Sequence, residues 1–280
     1  MALMPRAASN GIELEYELFL VSLDAAPLLL VGGLGTQLIS WDEEFCELLA
    51  NRGYEVIRFD NRDAGLSTWM DHDYTLNDMA ADAVGLLDAL NIPAAHIVGA
   101  SMGGFIAQLV ALNHPGRVLS LTSMISGPNG ADQVQPTPEA QALLLEPAPP
   151  TRAERIELGL RGKRQLLGPA DPFDEAYERA KVQRAVDRAY HPAGFARQLR
   201  AIVAAPSRIE RLRSLRTPTL VVHGDADILV PVDNGRKVAA AIPGARYLEI
   251  AGMGHDVPRH VWPEVVDAID ALAAPVSPAC

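Results

Sequence analysis

The sequence predicts an α/β fold: a mostly parallel sheet with helices on both faces and an inserted helical cap. Three observations predict it. Apolar strand-like runs alternate with helix-like stretches over the first 125 residues or so. The same alternation resumes after about residue 217. Between them lies a block with helical stretches and no strand pattern. Strand–helix alternation builds a parallel sheet covered on both sides. A resumed alternation makes the middle block an insertion rather than a second domain in tandem. The expected boundaries are residues 1–128 and 207–280 for the core and 129–206 for the cap.

Ile12–Leu18 alternates apolar and polar residues, as a half-exposed strand does. Pro27–Val31 is a continuous apolar run, expected of a strand buried on both faces. Ser40-Trp41-Asp42-Glu43 reads as a capping box opening a helix that Gly53 stops. Val56–Phe59 is the next strand. Thr75-Leu76-Asn77-Asp78 opens a second helix, with Met79, Ala83, Leu87 and Leu90 on one face as core. Ala95–Val98 is a strand, Gly104–Val110 a helix ending near His114-Pro115-Gly116, and Val118–Met124 a further strand. After the helical block come the strand Leu220–Val222, a helix over Asn234–Ile242, the strand Tyr247–Ile250 and a last helix over Pro263–Leu272. Pro147-Ala148-Pro149-Pro150 reads as a stiff connector.

Composition narrows the function classes. The chain has 280 residues, long enough for one large core with an insertion. Its formal net charge of −11 disfavours nucleic acid, whose binding rests on cationic contacts to phosphates. The 130–210 block is near neutral, so the acidity sits in the rest of the chain, where it favours release of an anionic product. The two cysteines, Cys46 and Cys280, make neither a metal spacing nor a disulfide framework. No run approaches a membrane span, and the N-terminus lacks a signal-peptide pattern. These features suggest a cytoplasmic protein with no membrane partner and leave its oligomeric state open.

The chemistry gathers around Gly99-Ala100-Ser101-Met102-Gly103. A G-x-S-x-G between strand and helix is a nucleophile elbow, a sharp turn that lifts a serine hydroxyl above the carboxyl edge of the sheet. A serine hydroxyl needs a histidine to take its proton and an acid to orient that histidine. In this arrangement they follow the serine in the order acid, histidine. After the strand Leu220–Val222 stand two candidates, Asp225 and Asp227. Asp227 is preferred because it lies deeper in the turn, before an apolar run that can exclude water. After the last strand, His255 sits on a glycine-rich loop. The backbone N–H of Met102, at a helix start, can stabilise an oxyanion. The second donor is expected in Gly32-Gly33-Leu34-Gly35, with Leu34 N–H first choice; the alternative is a plain turn.

The elbow, Asp227 and His255 together resemble the α/β-hydrolase superfamily, over nearly the whole chain. The Gly-Gly-Leu-Gly loop, Asp60-Asn61-Arg62-Asp63 and Gly99–Gly104 are similar to bacterial carboxylesterases related to aclacinomycin methylesterase. Many superfamily members have His-Gly where this chain has Gly32-Gly33. Asp60–Ser67 resembles a loop that is usually structural. Serine at 101 separates the chain from relatives with an aspartate nucleophile, the haloalkane dehalogenases and epoxide hydrolases.

The resemblance implies a cofactor-free, metal-free serine hydrolase of carboxylic esters with a small-molecule ester substrate. Alternatives with the same triad are a lactonase, a perhydrolase or a hydrolase of carbon–carbon bonds. A low-turnover binding protein on the same fold is a reading of another class. The apolar cap on an acidic body suggests a small-to-medium neutral ester. Of Leu143, Leu144, Leu145, Phe173, Tyr177, Tyr190 and Phe195, only a few are expected to line the cleft.

Overall fold

The computed structural model describes residues 5–22 and 24–273. Met1–Met4 and Cys280 lie outside the described residues. Among the described residues eight strands form one sheet: β1 (Arg6–Ser9), β2 (Ile12–Phe19), β3 (Ala26–Val31), β4 (Tyr54–Phe59), β5 (Ala95–Ala100), β6 (Val118–Met124), β7 (Thr219–Gly224) and β8 (Arg246–Ile250). Their order is β1-β2-β4-β3-β5-β6-β7-β8. The β1–β2 and β2–β4 pairs are antiparallel. All others are parallel.

The helices are α1 (Glu43–Ala50), α2 (Leu76–Ala89), α3 (Met102–Asn113), α4 (Pro138–Leu144), α5 (Arg152–Leu166), α6 (Glu175–Arg188), α7 (Pro192–Ala204), α8 (Ile209–Leu212), α9 (Asp233–Ala241) and α10 (Trp262–Ala273). Among the described residues no helix is long and apolar enough to cross a membrane.

The continuous apolar run of β3 has the expected cause. Leu29 and Val31 join the core under α2 and α3, which includes Met79, Ala83, Leu87 and Ile106. Leu28 and Leu30 point the other way, into the core with Phe45 of α1 and Val265 and Ile269 of α10. A strand covered on both faces needs apolar residues at every position.

The capping box at Thr75 is formed. Asp78 N–H donates to Thr75 Oγ at 3.3 Å, and Thr75 N–H donates to Asp78 Oδ2 at 2.8 Å. The one expected at Ser40 is not. Leu38–Ser40 is a 3₁₀ turn, and α1 starts after Asp42. Asp60 Oδ1 accepts the Leu38 N–H at 2.6 Å, which holds the turn. Trp41 packs on Phe45, and Glu43 pairs with Arg184 instead of capping. β1 and α8 have no counterpart in the sequence reading; both are four residues long.

From 129 to 206 the described chain contains helices and turns and no strand. α5 and α6 pack so closely that a Cβ on Gly159 would meet Val182 Cγ1 at 2.7 Å. Thr151 and Glu154 form a capping box on α5. The block sits over the sheet edge where β3, β5, β7 and β8 end, and the cavity beneath it is lined from both sides.

Candidate active site

Ser101 occupies the turn between β5 and α3 with φ +56° and ψ −120°. This is left-handed backbone, costly for a side-chain-bearing residue. The turn closes only because its neighbours lack side chains. A Cβ on Gly99 would meet Gly103 O at 2.1 Å, and one on Gly103 would meet Val31 O at 2.0 Å. Backbone hydrogen bonds secure the turn. Ser101 N–H donates to Met124 O at 2.9 Å, and Ser126 Oγ donates to Ser101 O at 2.9 Å.

The loops after β7 and β8 bring the acid and the histidine to this serine. His255 Nε2 lies 2.9 Å from Ser101 Oγ, and His255 Nδ1 lies 2.7 Å from Asp227 Oδ2. The second oxygen, Asp227 Oδ1, accepts the N–H groups of Leu229 (2.9 Å) and Val230 (2.8 Å). Burial alone would push the Asp227 carboxyl up. The charge of His255 and hydrogen bonds from His223 and His255 outweigh burial and hold it well below the usual carboxylate range.

Asp225, the other candidate acid, takes a different role. Its Oδ1 accepts the Gly252 N–H at 2.6 Å and steadies the histidine loop. His223 is fully buried behind the acid, with Nε2 2.7 Å from Val230 O.

Leu34 and Gly33 line the cavity beside Ser101. A Cβ on Gly33 would stand 3.4 Å from Ser101 Cβ, so the loop backbone runs against the serine. Among the described residues, neither Leu34 N–H nor Met102 N–H has a hydrogen-bond partner. Met102 is the first residue of the 12-residue α3, where the helix dipole favours negative charge.

The side chains of the Asp60–Asp63 loop are all paired with neighbouring elements. Asn61 Nδ2 donates to Gly32 O at 3.1 Å, and Asp60 pairs with Arg188 at 2.7 Å. Arg62 forks onto Asp82, and Arg197 of α7 forks onto Asp63.

The cavity has a volume of about 1180 Å³. Five of the seven cap residues named from the sequence line it: Leu143, Leu144, Leu145, Tyr190 and Phe195. Phe173 and Tyr177 do not. More of the named cap residues therefore face the cavity than expected, and residues of α5 and α6, among them Leu158 and Val182, line it beside them. Trp41, Phe45, Phe105 and Trp262 add aromatic surface from the core side. Two ion pairs, Lys163–Asp256 and Lys181–Asp42, each 2.6 Å, stand on the wall.

Sequence reasoning missed the residues that hold these loops from the block above, among them Gln198, Asp171 and Leu166. No local pattern marks them.

Residues 26–258 match the family model of the alpha/beta hydrolase fold. The chain belongs to the alpha/beta hydrolase family. Within it, the chain is 36% identical over 271 residues to a rhodomycin D methylesterase of Streptomyces sp. (strain C5), covering 88% of this chain and 90% of that protein. It is 30% identical to a 2-hydroxy-6-oxononadienedioate/2-hydroxy-6-oxononatrienedioate hydrolase of Paraburkholderia phymatum, covering 81% and 80%. Its fold is similar to the crystal structure of an enol-lactonase from Burkholderia xenovorans LB400, with a TM-score of 0.80, 26% identity, and 96% and 99% of the two chains covered. This alpha/beta hydrolase thus stands among relatives that include ester, enol-lactone and dienedioate hydrolases.

Proposed function

We propose that this alpha/beta hydrolase cleaves carboxylic esters, with Ser101 as nucleophile, His255 as general base and acid, and Asp227 as the group that orients and charge-stabilises His255. The observation that carries this reading is the unbroken relay Ser101–His255–Asp227, at 2.9 and 2.7 Å.

Ser101 Oγ attacks the ester carbonyl while His255 Nε2 takes its proton. The oxyanion forms between Leu34 N–H and Met102 N–H, whose free donors and helix dipole match developing negative charge. His255 then gives the proton to the leaving alcohol, which departs and leaves an acyl-serine. Water enters, His255 takes one of its protons, and the hydroxide attacks the acyl carbon. The second tetrahedral intermediate collapses to the acid and Ser101, whose oxygen recovers the proton. None of these steps needs a cofactor or a metal.

Residues 129–206 serve as the cap that closes the substrate cavity. The cavity volume of about 1180 Å³ exceeds what a small ester fills. Together with the likeness to a methylesterase, it supports a methyl ester of a bulky, largely apolar acid. The test is methanol release from methyl esters graded by acyl size. The reading expects kcat/KM to rise with acyl bulk; a preference for methyl acetate would contradict it. The likeness to an enol-lactonase favours lactones as second substrates, since a lactone is an internal ester open to the same attack. A lactone belongs in the same panel.

A further inference from the structure

On the ester-hydrolase reading, the oxyanion donor Leu34 N–H sits on a loop that contains three glycines within four residues, Gly32, Gly33 and Gly35. Such backbone has wide conformational freedom. Gly35 is in left-handed conformation, with φ +67°. Something must hold the donor still, because preorganised donors stabilise an oxyanion only when they need not reorient.

Three residues hold it: Asn61, Thr36 and Gln198. Asn61 Nδ2 donates to Gly32 O at 3.1 Å. Thr36 Oγ donates to Gly33 O at 3.0 Å, joined by Thr36 N–H at 3.3 Å. In a trans peptide the C=O and the N–H point in opposite directions. Anchoring Gly33 O therefore aims Leu34 N–H away from Thr36. The next peptide unit, between Leu34 and Gly35, is held from the cap. Gly35 N–H donates to Gln198 Oε1 at 2.8 Å, and Gln198 Nε2 donates to Arg62 O at 2.8 Å. With both units flanking Leu34 tied, its backbone torsions are fixed.

Gln198 is itself fully buried. It lies on α7, whose face docks tightly on both loops. A Cβ on Gly35 would strike Phe195 Cδ2 at 2.6 Å, and one on Gly194 would meet Asp63 O at 2.4 Å. Arg197 forks onto Asp63 between them. A buried amide with both ends paired across two loops is a rigid brace.

We infer that Gln198 is a positioning residue for catalysis: its side-chain amide braces the Gly32–Gly35 loop so that Leu34 N–H points at the oxyanion, and it does so without touching the substrate.

The test uses the full chain with Gln198→Met, which keeps the volume and removes both hydrogen bonds, and Gln198→Glu, which keeps an acceptor for Gly35 N–H. Hydrolysis of p-nitrophenyl butyrate gives kcat and KM. Inhibition by phenylboronic acid reports the oxyanion site, because Ser101 Oγ adds to boron, its proton passes to His255, and a tetrahedral anion results. Q198M is expected to lose at least tenfold in kcat with KM within threefold. Its boronate inhibition constant should weaken by the same factor as kcat/KM. Q198E should fall between Q198M and wild type. If Q198M yields no folded protein, Q198E read the same way decides.

A kcat within twofold of wild type would overturn the inference. So would a kcat loss with unchanged boronate affinity, the mark of a merely structural role. Wild type inactive on p-nitrophenyl butyrate and on the graded methyl esters alike would remove the ester-hydrolase reading and this inference with it. Active wild type beside an unaltered variant removes this inference alone.

Discussion

His255 N–H donates to the carbonyl oxygen of Leu166 at 2.7 Å, so the proposed proton carrier is held by α5 of the helical block as well as by the sheet. Neighbouring contacts repeat the attachment. Asp171 Oδ2 accepts the N–H groups of Gly168 (2.8 Å) and Gly254 (3.3 Å). A Cβ on Gly168 would meet Gly252 O at 1.9 Å, so the two loops lie backbone against backbone.

Removing the Asp171 carboxylate should therefore loosen the histidine. Asp171→Ala leaves two N–H groups without their acceptor, and each such group costs about 1–3 kcal/mol when buried. We expect a stability loss of about 2 kcal/mol or more and a lower kcat. Asp171→Asn keeps a carbonyl acceptor and should stay within a few-fold of wild type. Chemical denaturation and steady-state kinetics check both; an unaltered Asp171→Ala would contradict this attachment.

The strained backbone of Ser101 makes a separable prediction. Ser101→Gly should abolish turnover and raise stability by about 1 kcal/mol, since glycine takes φ +56° without cost. Calorimetry that shows a lower Tm would refute strain at the turn. The neighbouring substitutions Gly99→Ala and Gly103→Ala should instead destabilise strongly, because each new Cβ meets backbone at about 2 Å.

Asp227 predicts a pH dependence. Its folded-state carboxyl titrates below its unfolded value, near 3.9. The folded state thus binds the proton less readily, and ionised Asp227 contributes stability at and above neutral pH. That contribution disappears as the pH falls below about 4 and through the lowered folded value. Asp227→Asn should be less stable than wild type at pH 7, with the gap narrowing on acidification. Its kcat should drop by about 10⁴-fold, as when the orienting acid of a triad is neutralised. A stability gap that widens with acid would contradict the assignment.

Gly162 of α5 lines the cavity, and a Cβ there would meet only Leu143 methyls at 3.6 and 3.7 Å. Gly162→Ala should stabilise by about 0.5–1 kcal/mol through helix propensity. Gly162→Phe should project into the cavity and cut kcat/KM on bulky methyl esters by tenfold or more. A small acetate ester should be turned over within twofold of wild type. Equal losses on both substrates would argue that the cavity does not hold the acyl group.

Much of this molecule is legible in its sequence because the signals are local. Leu28–Val31 carries its two-sided burial in every residue, and Thr75 and Asp78 carry a cap within one turn. The elbow is legible because glycine is required at Gly99 and Gly103 and serine lies between them. The order serine, acid, histidine follows from strands that are themselves visible. What escapes is set by tertiary packing. Gln198 acts on Gly35 across 163 residues, and nothing about a glutamine in a helix announces that partner. The box at Ser40 failed for the same reason: Asp60, 22 residues away, takes the Leu38 N–H and delays the helix. Whether a cap leucine faces a cavity or a neighbouring helix depends on how α4 and α7 lie, which spacing does not encode.

The most direct measurement is hydrolysis of p-nitrophenyl esters from acetate to palmitate, with wild type and Ser101→Ala side by side. The account predicts turnover by wild type, with loss of at least about 10⁴-fold in the variant and an unchanged melting curve. Retained activity in folded Ser101→Ala, or no turnover of any ester by wild type, would contradict it.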